Sequence, residues 1–388
     1  MTTAFMSNTS MNRRDVVVTG IGLVSCAGEG IAAHLDAFSA GRPKATDTER
    51  FAPYPVHPAP TLVLDGQIPK KSDQRQMEAW QRLGVYAAGL ALDSAGVKQD
   101  ATFKAAMHLV VACGGGERDT AVDGAILTGL RDAADPGAYL NERLQNDLRP
   151  TLFLAQLSNL LAGNIAIVHG VTGASRTFMG EEASGVDALR IAQSRIASGQ
   201  IDTMLVGGSY SAERPDVLVV HEMGGYLRKG DFRPVFEREG ESEAGFILGS
   251  AAAFLMLEAA EAAAARNAKI FARLLPVESD RPRREPGSVG RSLSALWDKA
   301  GITPDAVISG ATGVGGITGE EGAALAELAP GVFVTALGDV TGHSLEVTAP
   351  LGAALAAALI AEGRARNVAV TTVGHRRGEG VVRLSAVS

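Results

Sequence analysis

The chain alternates short β-branched or apolar runs with longer stretches of helical period. Asp15-Val-Val-Val-Thr19 is a β-branched run, and Gly20-Ile-Gly-Leu-Val-Ser-Cys-Ala-Gly28 after it reads as a glycine-rich loop. A helix is expected over Ile31–Ala40. Residues 43–72 carry prolines with little periodicity and read as loop. Met77, Trp80, Leu83, Ala87 and Leu90 share one stripe of a helix over Met77–Ala95, which Gly96 stops. Leu109–Ala112 reads as a buried strand before Gly114–Gly116, and Leu157–Ile165 as a helix. Val186, Leu189, Ala192 and Ile196 space out another helix that ends near Gly199. Thr203–Val206 is a strand capped by Gly207-Gly208, and Phe246–Leu257 is a long apolar run best read as strands or a strand and turn. Further strands are predicted at Ala306–Ser309, Val332–Ala336, Ala369–Thr372 and Val381–Ser385, with helices at Glu320–Leu328 and Leu351–Glu362.

Strands alternating with helices predict an α/β architecture. The segment VVVTGIGLVSCAGEG is echoed from Ala306 onward by AVISGATGVGGITGEE, a β-run followed by a loop built on glycines. The echo suggests a duplicated βα unit.

Composition narrows the picture. The 388 residues are 46% hydrophobic and 20% charged, with aromatics at 5% and abundant Gly and Ala. That mix suits helices packed closely on a sheet. The formal net charge is -7, and Lys70-Lys71 and Arg281–Arg284 are short and isolated, so no nucleic-acid partner is expected. Two cysteines, Cys26 and Cys113, give no disulfide framework and read as packing thiols. The apolar stretch Ala251–Ala265 is cut by Glu258 and Glu261, so no membrane span is expected. Met1–Asn12 is polar and lacks the apolar core of a signal peptide. The expected location is the cytoplasm, with residues 1–14 a flexible tail.

Several motifs in order resemble the β-ketoacyl-ACP synthases. RRDVVVTGIGLVS from Arg13 is similar to that family's opening strand and loop. LSNLLAGNIAIVHGVTGAS, Leu157–Ser175, resembles the helix and strand before its nucleophile. ASGVDALRIAQSRIASGQIDTMLVGG, Ala183–Gly208, resembles the nucleophile-bearing helix and the next strand. The stretch Arg233–Leu274 is similar to the opening of the second half, and Thr341-Gly342-His343 sits where the family carries a catalytic histidine. The resemblance implies a thiolase-like fold: duplicated βα halves, with mixed five-stranded sheets in a layered α-β-α-β-α arrangement. The halves are expected over 15–250 and 251–388.

In that family a cysteine at a helix start accepts an acyl group from acyl carrier protein. Two histidines then assist decarboxylation of malonyl-ACP, and backbone N–H groups hold the oxyanion. By the same resemblance the nucleophile position here is Glu182, and a carboxylate is a poor acceptor in thioester exchange. Ser309-Gly-Ala-Thr-Gly-Val314 supplies no first histidine, and Gly338 falls where the family has a lysine. The loop Gly374-His-Arg-Arg-Gly-Glu-Gly380 stands where the family carries its oxyanion loop, which places His375, Arg376 and Arg377 beside the pocket. His343 is the surviving family histidine. One of Arg176, Arg376 and Arg377 is expected to pair with Glu181 or Glu182. Alternatively, burial could raise the Glu182 pKa and keep it neutral, as a mimic of glutamine. Glu182, His343 and His375 have metal-ligating side chains but no ligand spacing along the sequence, so neither a metal nor a cofactor is expected.

The combined loss resembles the chain-length-factor paralogues, inactive partners of an active synthase. The expected function is a non-catalytic subunit of a heterodimeric synthase that shapes the partner's acyl tunnel in polyketide, aryl polyene or specialised fatty acid synthesis. Its partners would be the active synthase subunit and, directly or through it, acyl carrier protein. By resemblance, contact is expected at the Leu157–Ala166 helix and the Leu205-facing edge. The alternatives are a malonyl-ACP decarboxylase or altered acyltransferase using Glu182, and a homodimeric acyl-binding protein.

Overall fold

The computed structural model describes residues 13–149, 151–301 and 303–387. Its main sheet has 12 strands. The order along its main path is Phe333–Ala336, Ala306–Ser309, Asn367–Val373, Glu379–Ser385, Ala272–Leu274, Val16–Ser25, Ala251–Ala259, Thr203–Tyr210, His108–Ala112 and Ser175–Phe178. The path is two five-stranded halves joined where Val16–Val18 pairs with Ala272–Leu274. Each half has three parallel strands at its outer end and antiparallel strands toward the joint. The duplication is therefore present, but the sequence echo matched the wrong elements. Ala306–Ser309 occupies the position of His108–Ala112, between two parallel neighbours, whereas Val16–Ser25 is antiparallel on both sides.

Two helices fill the space between the halves. Glu181–Ala197 packs on Thr203–Tyr210 and His108–Ala112 on one side and on Asn367–Val373 and Glu379–Ser385 on the other. Thr348–Ala361 likewise touches strands of both halves, and it touches Glu181–Ala197. Every residue from Thr348 to Ile360 is buried. An apolar surface all round is what a helix covered on both sides requires, and Gly and Ala keep it thin. A Cβ on Gly352 would lie 2.5 Å from Val370. Ala79–Ser94 with Leu160–His169 covers the outer face of the first half, and Ser288–Ala300 with Ile317–Leu328 that of the second. The layers are α-β-α-β-α, as expected.

Several boundaries moved. Gly20–Ser25 is a continuation of the first strand, not a loop. Its glycines answer to packing: a Cβ on Gly20 or Gly22 would fall 2.4 or 1.9 Å from the carbonyls of Ala91 and Ala87 on the covering helix. Gly207 and Gly208 lie inside the strand Thr203–Tyr210 for the same reason, with Cβ positions 2.1 and 2.3 Å from the Ala253 and Ala112 carbonyls. Thr203–Tyr210 is also hydrogen-bonded on both sides, and Leu205 is fully buried, so it offers no edge for a partner. The strand Ala251–Ala259 lies between Val16–Ser25 and Thr203–Tyr210, within the first half's sheet. Of the tail, residues 1–12 lie outside the described residues. Arg14 is anchored, donating to Asp202 at 2.7 Å and to the Ile196 carbonyl at 3.0 Å.

Gly22→Ala is expected to lower the unfolding free energy by about 3 kcal/mol. The clash is with helix backbone, which cannot swing away. Urea denaturation followed by circular dichroism checks this, and an unchanged midpoint would contradict the packing argument.

Candidate functional site

The strand Ser175–Phe178 turns into the helix Glu181–Ala197 through Met179-Gly180. Gly180 has φ 119° and Glu181 φ 61°, the left-handed region that a side chain rarely adopts. This tight entry carries Glu182 into the interior, where it is 0% exposed. His343 arrives from just before the helix Thr348–Ala361. Its N–H donates to Ile247 at 2.8 Å and its carbonyl accepts from Gly249 at 2.9 Å. Gly342 makes that approach possible, because a Cβ there would sit 2.8 Å from the Gly249 Cα. His375 comes from the turn after Asn367–Val373, closed by Gly374 N–H donating to the Gly378 carbonyl at 2.8 Å and pinned by Arg284 on the Gly374 carbonyl at 2.8 Å.

The three side chains meet at one oxygen. Glu182 Oε1 lies 2.8 Å from His343 Nε2 and 2.9 Å from His375 Nδ1, and it also accepts the His375 backbone N–H at 3.3 Å. Glu182 Oε2 is buried with no hydrogen-bond partner. Burial alone would push the Glu182 pKa up. The hydrogen bonds from His343 and His375 outweigh it and hold the carboxyl below the ordinary carboxylate range. Burial likewise opposes charge on His375, yet its bond to Glu182 raises it. The bonds that lower the Glu182 carboxyl raise the His375 imidazole, so the geometry favours an ionised Glu182 over the expected neutral glutamine mimic.

Aromatic rings close the cluster. Phe246 lies 4.8 Å from His343 between ring centroids, Tyr226 lies 4.6 Å from His375, and His221 is 5.1 Å from Phe246 and 5.5 Å from His375. Burial pushes His221 down to about 4, and the neighbouring His375 and His343 add to the shift. His343 is 3% and His375 2% exposed, so the cluster is sealed from solvent. Two surface clefts of 630 and 560 Å³ flank the edge strand Phe333–Ala336, and neither is lined by Glu182, His343 or His375.

Of the three arginines expected to pair here, Arg376 lies 3.4 Å from Glu181 and over the Tyr226 ring, whereas Arg176 and Arg377 are exposed. Glu182 is met by histidines rather than arginine. No histidine follows Ser309, and His375 supplies the second imidazole from a different loop. His221, Tyr226 and Phe246 escaped the sequence reading, since a lone histidine and scattered aromatics carry no spacing that marks them. Another missed residue, the buried Glu346, has its carboxyl pushed up to about 7, by burial first and then by Glu182. Both thiols are buried, and burial raises each, Cys26 to about 11. Neither suits a thiolate nucleophile.

At a tight helix entry between the duplicated sheets, a buried acidic residue thus faces two histidines. The family model "Beta-ketoacyl synthase, N-terminal domain" matches residues 13–263, more than half of the chain. The chain belongs to the β-ketoacyl synthase family. It is 28% identical over 348 residues to the tetracenomycin polyketide synthase ketoacyl synthase beta subunit of Streptomyces glaucescens, covering 84% of this chain and 81% of that one. It is 24% identical over 310 residues to 3-oxoacyl-[acyl-carrier-protein] synthase 2 of Vibrio cholerae, covering 76% and 72%. Among solved structures, the ishigamide ketosynthase/chain length factor superposes with a TM-score of 0.80 at 22% identity, covering 97% of this chain and 100% of that one. The type II polyketide ketosynthase complex AntDE:AntF gives 0.74 at 17% identity, covering 97% and 100%. These superpositions show the shared fold.

Glu182→Gln is expected to destabilise the protein by about 3 kcal/mol near pH 6, since it leaves a buried imidazolium without its charge partner. The pH dependence follows from the two shifts. The share of Glu182, depressed in the fold, is present above its ordinary 4.5 and is lost as pH falls further. The share of His375, raised in the fold, is complete below its ordinary 6.5 and fades as pH rises through the folded value. The gap in melting temperature between wild type and variant should therefore be widest between pH 4.5 and 6.5. A gap independent of pH would remove the ion pair from the account.

Proposed function

We propose that this chain is the non-catalytic, chain-length-factor-like subunit of a heterodimeric β-ketoacyl-ACP synthase, and that it shapes the acyl tunnel of an active partner. One observation carries the reading. Glu182, at the position assigned to the nucleophile, is fully buried and takes up the surviving family histidine, His343, together with the imidazole and backbone N–H of His375 from the loop assigned to the oxyanion. A carboxylate held this way neither accepts an acyl group nor leaves donors free for an oxyanion. Its ionised state also opposes the decarboxylase alternative, because a malonyl carboxylate and the developing carbanion would meet a fixed negative charge.

The surface is consistent with a partner. Among the described residues, Ser175–Phe178 pairs only with His108–Ala112 and ends the sheet. Beside it Ile167 is 71% and Met179 63% exposed. An uncovered edge strand with apolar flanks invites pairing. We place the active synthase subunit there, with acyl carrier protein delivering substrate to it directly or through this chain. The product would be a polyketide, with an aryl polyene or a specialised fatty acid as the other outcomes. No helix among the described residues is long and apolar enough to cross a membrane, and we assign the complex to the cytoplasm.

Co-expression with an intact synthase should give a 1:1 complex that condenses acyl and malonyl units only while the partner's cysteine is present. The purified chain alone should release no carbon dioxide from malonyl-ACP. Decarboxylation by the chain alone would overturn the reading, and so would a stable homodimer that ignores the synthase. Ile167→Asp and Met179→Asp should each weaken the complex about tenfold or more by size-exclusion and calorimetry, without lowering the melting temperature.

A further inference from the structure

Three of the chain's seven histidines, His221, His343 and His375, gather around the buried Glu182. One ligand atom each from Glu182, His343 and His375 lies within 4.8 Å of the others, and all three residues are buried. Hydrogen bonds inside the trio leave atoms unused. Glu182 Oε2 and His221 Nδ1 are buried without a hydrogen-bond partner, a state that buried polar atoms rarely keep. The surroundings have the second layer that a metal ligand needs. His375 Nε2 faces Glu181 Oε1 at 3.5 Å, and Arg376 holds the same oxygen at 3.4 Å. A histidine that binds metal through one nitrogen usually gives its other N–H to a carboxylate, which fixes ring and tautomer.

We propose that Glu182, His343 and His375 form a divalent transition-metal site, with zinc the fitting ion, that fastens the loop Gly374–Gly378 to the start of the helix Glu181–Ala197. Two imidazoles and one carboxylate without thiolate are a donor set for zinc, cobalt or nickel, and calcium or magnesium would ask for more oxygens. The donors now lie 2.8 and 2.9 Å apart, so seating a tetrahedral ion about 2.1 Å from each, with neighbouring ligands about 3.4 Å apart, opens each pair by about half an ångström. Binding replaces the protons now shared with Glu182 Oε1. His375 Nδ1 releases its proton and keeps one on Nε2, directed at Glu181; neutral His343 moves its proton from Nε2 to Nδ1 and binds through Nε2; no electrons are transferred. The ion satisfies the carboxylate, whose second oxygen has no hydrogen-bond partner, and its fourth position is left for a water. The proposal is independent of the subunit reading, because it is measured on this chain without a synthase.

The full chain is stripped with chelator and titrated with Co²⁺ and then Zn²⁺. Expected are about one ion per chain by elemental analysis, a visible Co²⁺ spectrum that equimolar zinc bleaches, and a melting temperature raised by several degrees. His343→Gln and His375→Gln should weaken zinc binding at least a hundredfold, whereas His108→Gln, at the end of its strand away from the turn into Glu181, should bind as wild type. If either variant fails to fold, Glu181→Ala keeps the trio and should still weaken zinc about tenfold by removing the carboxylate behind His375. A folded wild type with no Co²⁺ spectrum and no zinc-dependent melting shift would overturn the site. Binding that survives both histidine variants would overturn it equally.

Discussion

The structure depends on one constraint: two helices must be buried on both sides, between two halves of a sheet. Thr348–Ala361 has no face left for water, and Glu181–Ala197 presents one side to each half. Such a layer is possible only with small side chains at the crossings, as at Gly185, whose Cβ would lie 2.2 Å from the Glu346 carbonyl, at Gly352 against Val370, and along the alanine-rich helix Thr348–Ala361. The same constraint builds the site. The start of one central helix, the segment before the other and the turn after Asn367–Val373 converge, so residues 182, 343 and 375 come together without any local motif.

At that meeting point the chemistry has changed character. A thiolate at a helix start is kept reactive by dipole and donors and must stay accessible. Glu182 receives comparable donors but spends them internally, and it is closed in by Phe246, Tyr226 and His221. A buried carboxylate with two histidine partners is electrostatically satisfied at one oxygen and not at the other. The left-handed backbone at Glu181, a strain found at tight functional turns, is retained although no nucleophile follows it.

Membership of the β-ketoacyl synthase family and the altered site point in different directions, and the site decides activity. The family match and the shared fold account for the sheet order and the helix entry. They do not account for Glu182, for His375 on the loop after Asn367–Val373, or for the raised carboxyl of Glu346 nearby. Those belong to this chain.

By itself the sequence determined the α/β class, most strands and helices, and the absence of a cysteine at the helix start, because each is written in local periodicity or in an ungapped run of motifs. It misread Gly20–Ser25 as loop, since glycine in a strand looks like a turn until the helix carbonyl it must clear is in view. It also matched the wrong strands in its internal echo, because a β-run with glycines does not reveal whether its neighbours are parallel. The candidate residues Glu182, His343 and His375 were legible one by one. That they share a single oxygen, that Glu182 is ionised, and that Arg376 serves Glu181 were decided only by the tertiary structure. Burial and donor geometry set protonation, and both arise from contacts between segments more than 160 residues apart in sequence.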